Sequence, residues 1–550
     1  MSSPHQNLEK IDTVITGGAL FNGEQYFPGD WGVALSGNTV SRVGPASEIE
    51  PLGGPDTQRI SAEGGLILPG FHDFHIHLYV GSLTREGADL HHAASALEAA
   101  RMAGDFAGQN PDHAWVLGFN WYHIFWDDKT LPDRKLLDRF IPDRPAFLFN
   151  AEYHGAWVNT RALELCGITA ATPDPPFGRI ERDESGQPNG ILYETALGLA
   201  GKKAVDRTRG QKERLFAAFL ERAARNGVTS VNDMLPLPGM QCGDPDIYHQ
   251  FEERRDLTAR IYLEANLQED LSPAKAMRQR YNSPLLSFAG LKQFVDGVAT
   301  TYTAYLLAPY SDNPEKRGEP LIPPETLKKL VADAARDGFR VRLHACGDGA
   351  VQLCLDCYQH AAGMDRPGPD KRGNLRHTVE HLETVHPTDI PRFAEIGVIA
   401  SIQPEHLAMT ERFAETPYLS RMGKNREMHL WPNHSLAASE ARVCYGSDWP
   451  VVELNPLHGI YRAVTRVHDD GEPKGGWNPA ERVDRITALH NYTAGGAYGV
   501  SREAYLGKVE EGYLADIVVL DRDVITCAAE EIREASVRAT ISDGRVVYEG

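Results

Sequence analysis

The feature that most restricts how this chain can fold is the alternation, through its middle, of short apolar runs with longer amphipathic stretches. Residues 228–231, 291–295, 339–343, 377–380, 397–402 and 443–445 are strand candidates. Residues 211–225, 324–337 and 350–361 carry apolar side chains at helical spacing and lie between them. Strands that alternate with helices pair in parallel, because each crossover needs a helix on the face of the sheet. The number of such units within 550 residues predicts an α/β chain built on a (β/α)8 TIM barrel.

Both ends read differently. Residues 12–16, 31–35, 39–43 and 65–68 are strand-like, with turns at Gly17-Gly18, Ser36-Gly37-Asn38 and Gly53-Gly54. The last fifty residues repeat that texture at 516–520 and 537–541, and Asp543-Gly544 marks a hairpin before 545–548. One small β-domain built from both termini is expected, over residues 1–68 and 497–550, with the barrel over 69–496. Residues 110–205 are rich in aromatics and proline and fit the barrel pattern poorly. They read as an insertion after an early barrel strand, standing over the mouth.

Net charge is −20, which argues against nucleic acid or an anionic membrane as a partner. No apolar stretch approaches the length of a membrane span, and Met1 to Lys10 lacks an apolar signal core. Seven scattered cysteines suit a reducing compartment better than a disulfide framework. A cytoplasmic protein is expected, acting on a small molecule and compatible with a homodimer. Cys354 and Cys357 have CxxC spacing, but they sit in a helical stretch without a second pair, so neither a zinc ribbon nor a redox motif is expected.

Chemistry concentrates first in the stretch from Gly64 to His77. An apolar run, Leu66 to Leu68, is followed by Pro69-Gly70 and by a second run carrying His75 and His77. On a strand, residues two apart point the same way, so both imidazoles converge on one point. Neutral imidazole is the commonest protein metal ligand. Further polar residues sit on or at the ends of strand candidates: Lys292, His344, His381 and Asp448. In a parallel barrel, reactive groups gather at the C-terminal strand ends. Each residue alone has an ordinary structural explanation: a solvated strand face for the histidine pair, a core position for His344 or His381, a helix cap for Asp448. Four histidines and one aspartate at such positions together match the N/O preference of zinc and other first-row divalent ions.

The chain resembles the amidohydrolase superfamily, in particular its amidohydrolase-3 group of YtcJ-like proteins and N-substituted formamide deformylases. The resemblance is carried by Pro69 to His77, Tyr153-His-Gly-Ala-Trp-Val-Asn159, Gly227 to Asp233, Lys292 with Asp296-Gly297, His344 to Asp348, Glu380-His381 and Gly446 to Pro450. Near the end, Tyr492-Thr493 and Gly507 to Asp516 resemble the segment that returns the chain to a β-sandwich. It implies a distorted barrel with a small composite β-sandwich domain. It also implies one or two divalent ions, zinc foremost. His75, His77 and Asp448 would hold the more buried ion, and His344 and His381 the other. Lys292, carboxylated on Nζ, would bridge the two. The competing role for Lys292 is an ion pair with Asp296 or Glu383.

Asp448 is then the catalytic proton carrier, and His154 with Tyr153 would hold the oxyanion. Trp121 and Tyr122, with Phe119, Phe125 and Trp126, would shape an aromatic pocket, and Asp296 is placed among the substrate contacts. Residues 298–303 read Val-Ala-Thr-Thr-Tyr-Thr where relatives commonly carry a Ser-Arg-containing segment, so a substrate contact differs there. The expected activity is hydrolysis of an amide or N-acyl C–N bond. A deaminase, a cyclic amidase or a lactone or ester hydrolase would use the same centre; a non-catalytic binding protein is the alternative from another class.

Overall fold

The computed structural model describes residues 10–126, 130–362, 375–410 and 417–550. Eight strands form its centre: β1 (Phe71–Ile76), β2 (Val228–Met234), β3 (Arg260–Asn266), β4 (Leu286–Phe294), β5 (Val341–Ala345), β6 (Thr378–His381), β7 (Ile399–Ile402) and β8 (Arg442–Tyr445). Each pairs in parallel with the next in chain order. Between β8 and β1 the contact shrinks to an isolated bridge from Ile76 to Trp449. There the Asp448 amide donates to the His75 carbonyl at 2.7 Å, and the His77 amide to the Trp449 carbonyl at 2.8 Å. The barrel is closed, and distorted at this seam.

Helix Arg209–Arg225 shows why the crossovers form. Thr208 and Gln211 make a capping box at its start. Leu215, Phe216, Phe219, Leu220 and Ala223 recur on one face and are buried. Phe216, Phe219, Leu220 and Ala223 join the barrel core with Phe71, Val228 and Val231, while Leu215 packs into a neighbouring apolar cluster with Leu237 and Met240. Each large side chain so buried contributes ~1.5–3 kcal/mol. Cys354 and Cys357 lie on helix Asp348–Ala362, fully buried in the same core as free thiols.

Strand β3 is absent from the sequence expectation, because Arg260 and Glu264 interrupt its apolar run. Both are buried and paired. Arg260 meets Asp516 at 2.6 Å and Asp543 at 2.9 Å, and Glu264 meets Arg342 at 3.2 Å.

The two chain ends share one eight-stranded sheet. Leu66–Pro69 pairs antiparallel with Ile517–Leu520 on one side and in parallel with Thr13–Phe21 on the other. The sheet curls around a core that includes Ile15, Val33, Ile67, Val519 and Ile541, and the turn at Asn38 meets the turn at Asp543. Gly70 then leads into β1 against Thr229, whose Oγ1 would lie 2.1 Å from any Cβ.

A second, six-stranded sheet lies in the chain between β1 and β2, from Ala88–Asp89 to Pro188–Glu194. It begins before residue 110, where the aromatic composition first signals an insertion. Helix Ala96–Gln109 packs on it through Ala99, Ala100 and Ala103. Among the described residues no helix is long and apolar enough to cross a membrane.

Candidate metal centre

The C-terminal ends of β1, β5, β6 and β8 bring the histidines together. His75 occupies β1, and His77 follows directly at the start of helix Leu78–Leu83. Their Nε2 atoms lie 3.4 and 3.5 Å from Asp448 Oδ1. His381 Nδ1 lies 3.8 Å from Asp448 Oδ2. The rings of His344 and His381 are 4.4 Å apart, and those of His75 and His381 4.9 Å. Gly446 permits the close approach of β8, since a Cβ there would sit 2.5 Å from the His75 nitrogen.

Ring orientation is fixed from behind. His77 Nδ1–H donates to the Met234 carbonyl at 2.8 Å, and His75 Nδ1–H to Glu380 Oε2 at 2.6 Å. Both Nε2 lone pairs therefore face Asp448. Burial holds every one of these imidazoles low: His77 is pushed to about 3, and His75, His344 and His381 lie well below the usual range, with Lys292 and neighbouring histidines adding to the effect. Burial raises Asp448 well above the usual carboxylate range, against the pull of Lys292 and His154.

Within this cluster, four buried polar atoms have no hydrogen-bond partner among the described residues: His75 Nε2, Asp448 Oδ1, Lys292 Nζ and His406 Nε2. Orphaned buried donors and acceptors are costly unless something completes them. Neutral imidazoles around a carboxylate are the donor set of a divalent cation, and the residues fit one. Lys292 is fully buried, and that pushes its amine to about 8, with Glu380 and Asp448 opposing. It makes no ion pair with Asp296 or Glu383 among the described residues.

The small cavity beside this cluster is lined by His77, His344, His381 and Asp448 below, and by Glu152, Tyr153 and His154 of the inserted domain above. His154 Nδ1 donates to Glu194 at 2.7 Å. Burial opposes the charged form, but Glu194 outweighs it and holds His154 above the ordinary imidazole range. Tyr153, Glu194, His381 and Asp448 all have positive φ, between 51° and 73°. Strain of this kind gathers where side chains must be aimed.

Two expected substrate contacts fall elsewhere. Trp121 packs against Trp126 and Trp157 in the core of the inserted sheet, its indole donating to the Leu148 carbonyl at 2.8 Å. A large apolar ring on a strand found more surface to bury inside the insertion than at the mouth. Asp296 accepts from the amides of Tyr305, Cys346 and Gly347 and lies 3.6 Å from His344 Nε2, so its carboxylate braces the loops beside that histidine. Tyr122 reaches the cavity only through Glu152, at 3.4 Å.

His406 is the residue the sequence reading missed. Its Nε2 lies 3.6 Å from Asp448 Oδ2, and its ring stacks on His381. It stands just beyond β7, in Gln403-Pro404-Glu405-His406. The strand-end rule that selected His344 selects it equally.

The sequence model of the Amidohydrolase family matches residues 58–548. The chain is 29% identical to the protein LONG AFTER FAR-RED 3 of Arabidopsis thaliana, over 98% of this chain and 91% of that one. It is 27% identical to an N-substituted formamide deformylase of Arthrobacter pascens, over 94% of each. Among solved structures, an uncharacterized metal-dependent hydrolase from Pyrococcus horikoshii OT3 superposes with a TM-score of 0.73 at 24% identity, covering 94% of this chain and 99% of that one.

Proposed function

We propose that this chain, which belongs to the amidohydrolase family, is a metal-dependent hydrolase that cleaves the C–N bond of a small N-acyl compound, an N-substituted formamide being the first candidate. One observation carries this reading. Neutral His75 and His77 converge on Asp448 beside a small cavity whose other wall is His154.

A divalent cation, zinc foremost, supplies Lewis acidity and a nucleophile at neutral pH when bound in such a set. His75, His77 and Asp448 would hold it. His344 and His381 would hold a second, and Lys292, once carboxylated, would offer an oxygen to each. Burial that brings its unpartnered amine down to about 8 makes the free base that carboxylation needs more accessible.

The protein's own groups then have distinct tasks. Asp448 takes the proton of the attacking water and returns it to the departing nitrogen. His154, whose charged form Glu194 favours against burial, donates its remaining N–H to the carbonyl oxygen as charge builds there. Phe294, Leu237, Pro238 and Val451 narrow the cavity, which suits a small acyl group and excludes bulk water. The likeness to the formamide deformylase supports the same choice.

The test is to supply zinc-loaded protein with paired N-substituted formamides and acetamides and to follow release of the amine. Formamides should be cleaved fastest. Asp448→Asn should stay folded and lose on the order of 10²–10⁴-fold in kcat. Absence of amine release from every member of the series by fully loaded protein would overturn the proposal. Ammonia release from an amidine, or opening of a lactone, would move it to a deaminase or a lactone hydrolase.

A further inference from the structure

Beneath the metal seat the barrel interior is charged, where stacked branched apolar side chains are the usual filling. Arg342 on β5, Glu264 on β3 and Glu380 on β6 are 0% exposed. Arg342 Nε donates to Glu380 Oε1 at 2.6 Å, its Nη1 to Glu264 Oε1 at 3.2 Å, and its Nη2 to the Phe74 carbonyl at 2.6 Å. The second oxygen of Glu380 accepts His75 Nδ1–H at 2.6 Å. Asn232 extends the chain on the far side, donating to Glu264 at 2.9 Å. Side chains from five barrel strands are linked in one line that ends at His75.

Apolar residues of similar volume would fill this space without the desolvation cost that three buried charges carry. Stability therefore does not account for the line. His77 supplies the contrast, since it leans on a neutral acceptor, the Met234 carbonyl, whereas His75 leans on a carboxylate. A carboxylate at one ring nitrogen fixes the tautomer and makes the other nitrogen a stronger ligand.

We infer that Glu380 is a positioning residue for the metal, acting through His75, and that Arg342, bonded to its other oxygen, holds the carboxylate in register for that task. His75 and His77 are then unequal ligands, with His75 the tighter. This rests on the metal reading above and adds which buried group sets the affinity.

Zinc affinity of the full chain, measured by competition with a chromophoric chelator at one neutral pH, tests it. Glu380→Gln should bind zinc roughly 10–100-fold more weakly, with Glu380→Asp recovering part of the loss. His77 and Asp448 should remain able to retain some metal in both. Because loss of one member of a buried ion pair can unfold the chain, the wild type gives a second measurement. Nitrogen-edited NMR of the zinc-loaded protein should show a strongly deshielded proton on His75 Nδ1. Unchanged zinc affinity in folded Glu380→Gln, or a His75 ring without that proton, would overturn the inference and leave the metal reading standing. A wild type that takes up no zinc would overturn both.

Discussion

The charged form of His154 is favoured, whereas that of the cavity's other histidines is disfavoured. Burial acts on all of them, yet only His154 has a carboxylate within hydrogen-bond reach on its Nδ1 side that is not shared with an arginine. Its pKa is raised on folding, so the stability it contributes is fully present below the ordinary histidine range near about 6.5 and is lost as pH climbs through the raised value. Activity that depends on its second N–H should fall over the same window. Glu194→Gln removes the cause, and the alkaline limb of kcat/KM should therefore move to lower pH, with the Tm falling most below pH 6, where the lost stabilisation was fully present. A pH–rate profile of the two proteins decides this, and coincident alkaline limbs would take His154 out of the donor role.

At the scale of elements, β3 is instructive because its charges belong to partners far away in sequence. Arg260 reaches Asp516 and Asp543, and so fastens a barrel strand to the sheet made from the chain ends. Arg260→Ala leaves the buried Asp516 and the half-buried Asp543 without their cation. A loss of about 3–5 kcal/mol is expected from breaking such a pair, read by urea denaturation. A loss under 1 kcal/mol would show that the two bodies are held by their apolar contacts alone. The same strand marks the boundary of what could be read locally. Strands β1, β2 and β4 to β8 announce themselves by short apolar runs, whereas β3 looks polar until Arg260 and Glu264 are seen paired.

The whole molecule has one weak line. Every other neighbouring pair in the barrel shares a register of several residues, but β8 meets β1 through an isolated bridge and two amide contacts. Ser447 adds its amide and hydroxyl to the Asp73 carboxylate across that line, at 2.8 and 2.6 Å. His75 and His77 stand on one side and Asp448 on the other, so a cation held by all three spans the gap. Binding to the folded state alone at a hundred times Kd contributes about 2.7 kcal/mol. Chelation should lower the unfolding midpoint accordingly and speed hydrogen exchange at the His77 and Asp448 amides ahead of the rest of the barrel. Uniform exchange across all eight strands would show that the seam does not depend on metal.

Legibility followed the range over which each signal acts. The two-residue spacing of His75 and His77 is a local property of a strand, and the strand-end positions of His344, His381 and Asp448 follow once the βα alternation is recognised; these the sequence determined by itself. The curled sheet from the two ends was readable for the same reason, through period-two runs and glycine turns. Tertiary structure alone decided that Trp121 turns inward, that Asp296 serves backbone amides, and that Glu194 stands behind His154. It also aligned Glu380 and Arg342 beneath His75. The reason is physical: periodicity records which face of an element is apolar, whereas the worth of a buried charge depends on the partner that folding places beside it. Nothing along the chain near Glu380 carries the 2.6 Å contact to His75, 305 residues away.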